Sequence, residues 1–499
     1  MKHWVILVFA LLSTTLAAQS PLGKRQLTGL ESERQTVENS LSLVYHNQPQ
    51  NISDSLQTGS GFLNWLLNKP ALQSTGENHH IVLNPAFNFQ AGTYQNGNTW
   101  INTRGAEIHG NFSQKIRFHT SFFENQGRFP AYLNEYATNY GVLPGYARMK
   151  PYNESDWDYA SAYGSIEIQP ADFLNIRFGH DKPFIGEGHR SLFLSDATFQ
   201  SLFLQTSLEF GNWRYTNLSM QWMNPNFNNP MGWENTQSIE GNYQRKFSSY
   251  NMLEYRFSDN FRLGFIEAVL FDVIDQHSYF NPHMLNPLPG IRATMLGTGS
   301  KDNIITGLDA LLKRKNSHYY LQFLIDNLQM SSLTYKNPYN RFAWQIGAVF
   351  FDIMGIKNLH ARAEHNYIRA NTWASATPEV GWSHYNQPVA HPAGSNLAEF
   401  TGELQYRYKR FPMRTKISYM RRGKEQNEVL MPAEYPTDGA FIAGPAEKFL
   451  YADTEMAFII NPAWHWLAFA GVTYRHSEDN LLWIRFGTRT NLNRLIRDF

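Results

Sequence analysis

Apolar and polar residues alternate one for one in segment after segment of this chain. Between Lys115 and Phe123, Ile116, Phe118, Thr120 and Phe122 alternate with Arg117, His119 and Ser121. A period of two puts the first set on one face of a strand and the second set on the other. The pattern returns over Leu174–Phe178, Leu253–Phe257, Leu404–Tyr408, Ala452–Phe458 and Leu482–Phe486. Turn residues join these segments in pairs at Ser113–Lys115, Pro170–Asp172, Gly211–Asn212, Ser258–Asn260, Lys313–Ser317, Gly355–Asn358, Lys409–Met413 and Asn461–Ala463. Long connections separate the hairpins, at roughly 124–160, 180–202, 223–249, 272–303, 328–341, 368–398 and 422–448. Strict alternation of short turns with long loops is the pattern of an outer-membrane barrel, whose periplasmic turns are short and outer loops long. The eight hairpins, a first strand near Ile81–Gly92 and a last near Leu481–Leu492 make about eighteen strands, an even number. The terminal Phe499 fits such a barrel. The expectation is an all-β fold, a transmembrane antiparallel outer-membrane β-barrel of about 18 strands with a small helical N-terminal segment. A soluble sandwich or propeller has no need of the asymmetry between turns and loops.

Composition agrees once the apolar face is turned toward lipid. Aromatic residues are 15% and charged residues only 17% of the chain, against about 25% charged in a soluble domain. Lipid supplies no hydrogen bonds, so the sheet must close, while Leu, Ile, Phe and Tyr point outward and Trp and Tyr collect at the interfaces. Positions predicted inward include Arg117, Arg177, Arg256, Arg262, Arg362, Glu364, Glu403, Arg407, Asp453, Glu455, Arg485 and Arg489. Their mixed signs predict a lumen held by ion pairs or occupied by loops. The 43 Lys and Arg balance 42 Asp and Glu, so no broad basic face for nucleic acid is implied. With no cysteine, disulfides, thiolate metal sites, cysteine nucleophiles and Cys-linked lipid anchors are excluded.

Lys2 and His3 precede the apolar run Val5–Leu12 and the small residues ending at Ala17-Ala18. This reads as a secretory signal over residues 1–18. No later run of about 18 apolar residues follows; Phe342–Ile356 is interrupted by Gln345 and Asp352. Residues 19–80 read as a periplasmic or plug-like segment without strands, with an amphipathic helix over Phe62–Leu72 broken at Pro70. Residues 81–499 form the barrel.

Four loop segments carry polar chemistry. Gly179–Asp196 holds the ligand-binding candidates His180, Asp181, Glu187, His189 and Arg190. Ser191, His189 and Asp181 are the members of an imaginable hydrolytic triad, but triad partners must converge in space, and closeness in sequence is no sign of that. No catalytic residue is assigned. Asn281–Arg292 is made rigid by three prolines. Gly297–Asn303 reads as a turn entering a strand over Ile304–Leu312, with too few carboxylates for calcium. His384–Leu397 holds the candidates His384, Tyr385, Asn386, Gln387 and His391, a mixture suited to hydrogen bonding and stacking on sugars. Its two histidines lack a supporting carboxylate pair, so no metal or cofactor is assigned.

These same segments carry a resemblance. NTRGAE from Asn102, FFENQGRFP from Phe122, GHDKPFIGEGHRSLFLSD from Gly179, NPHMLNPLPGIR from Asn281, GTGSKDNIITGLD from Gly297 and HYNQPVAHPAGSNLAEF from His384 resemble the capsule-assembly Wzi family of outer-membrane proteins, most closely its RemB-type gliding members. At Phe184–Gly188 this chain has Phe-Ile-Gly-Glu-Gly, where capsule-type members read more like Trp-Gly-Pro-Gly. The resemblance implies an eighteen-stranded barrel of the bacterial outer membrane without enzymatic activity. Its implied partners are cell-surface polysaccharide, membrane lipid and gliding or secretion machinery, and its implied roles are polysaccharide attachment, adhesion or gliding. A passive porin is the alternative reading.

Overall fold

The computed structural model describes Leu30, residues 44–45 and residues 61–499 except 114, 147–148, 154, 225–243, 272–301, 330–331, 333, 335, 376–377, 425–439 and 491–494. The proline-rich segment 281–292 and most of 297–303 therefore lie outside the described residues, as does the predicted signal.

Eighteen strands close into one antiparallel barrel. They are β1 (His79–Tyr94), β2 (Gly97–Phe112), β3 (Ile116–Arg128), β4 (Asp156–Ala171), β5 (Leu174–Asp181), β6 (Ser201–Phe210), β7 (Trp213–Met223), β8 (Arg245–Ser258) and β9 (Phe261–Phe271). The second half is β10 (Asn303–Arg314), β11 (Ser317–Asn327), β12 (Arg341–Phe350), β13 (Leu359–Ile368), β14 (Leu397–Tyr408), β15 (Phe411–Gly423), β16 (Ala446–Asn461), β17 (Trp466–His476) and β18 (Asn480–Arg489). Each strand pairs with its sequence neighbours, and β18 meets β1 in the register Trp483↔Tyr94 to Arg489↔Asn88. Closure leaves no unpaired sheet edge, which an apolar solvent would penalise.

The alternating pattern sorts side chains as predicted. On β5, Phe178 points out and is 53% exposed, whereas its neighbour Arg177 points in and is 3% exposed. Cross-strand rows continue the outer apolar surface through Ile166↔Phe178, Phe178↔Leu204, Phe265↔Leu308, Leu321↔Ile346 and Val472↔Ile484. Near the short turns, exposed Phe112, Phe173, Phe210, Trp213, Phe257 and Phe411 form an aromatic girdle, as expected at a membrane interface. No helix among the described residues is long and apolar enough to cross a membrane; the strands are the crossing elements.

Two connections at the loop mouth depart from strict alternation. Residues 95–96 join β1 to β2 and 477–479 join β17 to β18, so both are tight turns on the side where the other connections are long. The N-terminal segment also differs in part. The helix α1 (Phe62–Asn68) stops before Pro70, but Leu72–Gly76 is a strand, zipped to Leu83–His79 of β1 where β1 extends past its partner β18. Val44–Tyr45 is a short strand as well, paired with Ile185 and Phe184. Backbone donors and acceptors left open by the end of a neighbouring strand explain why this polar sequence extends the sheet. α1 is clamped to the turn mouth: Asn461 Nδ2 donates to Leu66 O and Lys69 O, and Arg410 donates to Leu67 O and Asn68 Oδ1.

The lumen is occupied by the protein itself. The 182–200 connection folds inward, and its Leu192, Phe193 and Leu194 join inward-facing Phe203, Met220, Tyr250, Ile266 and Ile305 in a buried core, together with Trp373, Trp382 and Val389 of the 369–396 connection. Inward positions therefore include apolar residues that meet this core as well as charged ones such as Arg262 and Glu399, a mixture that period-two counting does not resolve. The predicted last strand stops at Arg489, short of Leu492. Beyond it the chain returns into the barrel: Leu495 and Ile496 are buried, and Ile496 N–H donates to Pro144 O. Phe499 thus packs among loop-mouth aromatics rather than closing the sheet.

Candidate functional site: a groove at the loop mouth

The two tight loop-mouth turns leave a low rim, and beside it lies an open groove of about 510 Å³. One wall is the helix α2 (Ala131–Tyr140), set within the 129–155 connection. Pro130 precedes it in an extended conformation. Gly141 ends it at φ 68°, its N–H donating to Ala137 O. That left-handed position favours glycine and satisfies a terminal carbonyl. Tyr132, Tyr136 and Tyr140 are spaced by four and so form one stripe on the helix, while Leu133 and Ala137 anchor the adjacent face.

All three tyrosines line the groove. Tyr136 lies 4.5 Å from Tyr140 and 4.9 Å edge-on from Phe499. Arg475 of β17 stacks 4.7 Å over Tyr132 and 5.4 Å over Phe449, and donates to Ser477 Oγ at 2.8 Å. Arg422 lies 4.8 Å over Phe449 and donates through Nε and Nη2 to Glu447 at 3.1 and 2.9 Å. Gln95, Asn96, Asn139 and Asn480 add amides. Half-buried rings beside fixed donors and acceptors can hold a ligand with apolar faces and polar edges. Neither α2 nor this stripe was recognised in the sequence, although Pro130, the four-residue tyrosine spacing and Gly141 were all there to find it.

The residues singled out from sequence sit mostly behind this groove. His180 points outward from β5, its Nδ1–H donating to Ala162 O and its ring meeting Phe199 edge-on. Asp181 points inward and pairs with Arg177 at 2.9 Å and His119 at 3.0 Å. Glu187 pairs with Arg262, which also binds Glu254 and Asp309. His189 accepts from Lys416 Nζ at 2.6 Å, and its backbone N–H donates to Glu364. Arg190 pairs with Glu399 at two points and with Asp498. Ser191 Oγ donates to Ile185 O and accepts from Phe193 and Leu194 N–H. Ser191, His189 and Asp181 therefore have separate partners and do not assemble into a relay. A different serine–histidine–aspartate set does meet, with Ser165 Oγ 3.4 Å from His119 Nδ1 and Asp181 opposite; its serine accepts from Arg177 Nε, and the set binds β3, β4 and β5 together in the wall.

In the 369–396 connection, His384 accepts Met223 N–H at Nδ1 and donates from Nε2 to Gln200 O. Burial lowers its pKa from the ordinary 6.5 to about 3. His391 accepts Ala393 N–H at Nδ1 and donates from Nε2 to Glu399 at 2.9 Å, and burial holds its pKa down too. Both nitrogens of both rings are thus engaged by protein groups. Tyr385 packs edge-on against Phe199, Asn386 donates to Tyr140 O, and Gln387 bridges Gly145 N–H and Tyr146 O. These contacts fasten the connection to the chain around α2, so that Pro388, Pro392, Ala393 and Gly394 form the groove's second wall.

The fold and its apolar belt define the class, an eighteen-stranded barrel of the outer-membrane type. No family model matches the sequence, and no curated protein matches it. Among solved structures the chain is similar to Escherichia coli Wzi, an outer-membrane protein involved in group 1 capsule assembly and a carbohydrate-binding β-barrel, at 11% identity over 82% of this chain and 85% of that one, TM-score 0.48. It is also similar to Pseudomonas aeruginosa OpdK with vanillate (9% identity, 83% and 98% covered, TM-score 0.46) and to Acinetobacter baumannii OccAB2 (11%, 83% and 98%, TM-score 0.43).

Proposed function

We propose that this is a non-enzymatic barrel of the bacterial outer membrane whose loop-mouth groove holds cell-surface polysaccharide, for attachment of that polymer or for adhesion and movement of the cell upon it. The carrying observation is the tyrosine stripe of α2 facing Arg475 and the amides across the groove. Pyranose rings offer C–H faces to aromatic rings and hydroxyls to donors and acceptors, so an aromatic groove edged by amides matches them. Its other partners in this reading are the lipid around the belt and a protein of the gliding or secretion machinery. The test is polysaccharide retention and surface adhesion by cells carrying Tyr136→Ala with Arg475→Ala. Both should fall while the barrel stays in the membrane; unchanged retention and adhesion would contradict the proposal.

A passive channel is the second reading. The described lumen holds a small polar cavity of about 40 Å³ between Asn88, Gln90, Thr103 and Asp453 on the strands and Leu495 and Arg497 of the returning chain, a volume for a few waters rather than a pore. Purified protein in planar bilayers decides this, since a channel conducts and a filled barrel does not.

A further inference from the structure

We infer that the groove selects uncharged or amine-bearing glycans over acidic ones, a conclusion that rests on reading the groove as a polysaccharide site. Its carboxylates outnumber its cations: Glu135, Glu447, Glu478 and Asp479 line it against Arg422 and Arg475, with Lys424 at the edge. Arg422 is held by Glu447 at two points, and Arg475 lies under Tyr132 and against Phe449 with its Nη1 directed to Ser477. Lys424 at the edge pairs with Glu478 at 2.8 Å.

Two carboxylates are placed differently. Glu135 is exposed on α2, to one side of the tyrosine stripe, and Asp479 is exposed at the tip of the β17–β18 turn; both line the groove. Neither has a cation within ion-pair distance among the described residues. A uronate or other acidic sugar on the tyrosine platform meets these two charges, which Arg475 across the groove offsets only in part. An uncharged sugar meets only the rings and amides, and a protonated amino sugar gains from each carboxylate. Exposed charge pairs are individually weak and salt-sensitive, so the selection is a preference of several-fold, set by the sign of the charge at the entrance rather than by exclusion.

The experiment uses the whole purified barrel and three probes: glucosamine oligomers, the same oligomers N-acetylated, and oligogalacturonate of equal length. Binding is measured at low and at high salt for wild type and for Glu135→Gln with Asp479→Asn. Glucosamine oligomers should bind wild type most tightly at low salt and oligogalacturonate least. The double variant should lose about threefold to tenfold in glucosamine-oligomer affinity, change least for the N-acetylated probe and bind oligogalacturonate better. Oligogalacturonate binding wild type as well as the uncharged probe does overturns the selection but leaves the groove a glycan site. A preference that survives in the double variant overturns the role of these carboxylates. Binding by none of the three removes the polysaccharide reading and this inference with it.

Discussion

Arg190 and Glu399, 209 residues apart in sequence, meet inside the barrel in a two-point contact, Arg190 Nε and Nη2 donating to the two carboxylate oxygens at 3.2 and 2.9 Å. Both side chains are fully enclosed. Glu399 also accepts from His391 and Ser418, and Arg190 also donates to Asp498 O. The contact therefore joins the inward-folded 182–200 connection, the 369–396 connection, the strand wall and the returning C-terminal segment.

Removing one partner of a buried pair leaves the other without compensation, at a cost of about 3–5 kcal/mol. Arg190→Ala should therefore loosen the 182–200 connection while the sheet stays closed. Limited proteolysis should show new cleavage within that connection in a barrel that keeps its heat-modifiable migration. Cleavage identical to wild type would show that the connection is held by other contacts.

Gly186 reports the fit of the same segment against the wall. Its φ is 102°, and a Cβ there would lie 2.0 Å from Gln322 Nε2. Gln322 in turn donates to Ile185 O and Asp309, and accepts Leu192 N–H. Gly186→Ala must shift both backbone and Gln322, a change of about 1–3 kcal/mol. The thermal midpoint of loss of the folded-barrel band should drop relative to wild type, whereas Gly211→Ala at an open turn, also at positive φ but touching nothing within 4 Å, should drop it less. Equal shifts would place the whole effect in the backbone angle.

Asp498 links the returning segment to the network through Arg190 and Lys416, and Phe499 next to it forms part of the groove floor. Deleting 495–499 should raise single-channel conductance in planar bilayers above that of the full chain. Equal conductance would mean that other residues close the lumen.

The histidines give a pH dependence of definite sign. His384 is more acidic folded than unfolded, about 3 against 6.5, so its stabilising contribution is complete above about pH 6.5 and declines as pH falls toward about 3. A proton on Nδ1 would displace the Met223 N–H that it accepts. In histidine NMR the His384 nitrogens should stay in one neutral tautomer from pH 8 to about 5, and acidification over that range should lower barrel stability less in His384→Asn than in wild type. Titration of His384 near 6.5 would contradict the buried, doubly bonded ring.

The barrel was legible because its determinants are local. Phe122, Phe178 and Ile484 announce the outer face by their period, and Asn212, Asn260 and Asn316 mark turns by their chemistry. The lumen was not legible, because Arg190–Glu399 and Lys416–Asp498 depend on pairing across hundreds of residues. Inward Tyr250 and Ile305 look the same in sequence as outward Phe265 and Leu308, since a core inside the barrel and lipid outside ask for the same residue types. The candidates His189, Arg190 and His384–Gln387 were recognised as unusual loop chemistry; in the structure they hold the loops that shape the groove, while the rings lining it come from α2, which the strand pattern passed over.

The most direct measurement of the central claim is equilibrium binding of extracted cell-surface polysaccharide to detergent-purified protein, comparing wild type with Tyr132→Ala plus Tyr136→Ala. Two aromatic platforms contribute about 0.5–1.5 kcal/mol each beyond the area they bury, so affinity should fall by about fivefold or more with the barrel still closed. Equal affinity in the two proteins would contradict a binding site on the tyrosine stripe.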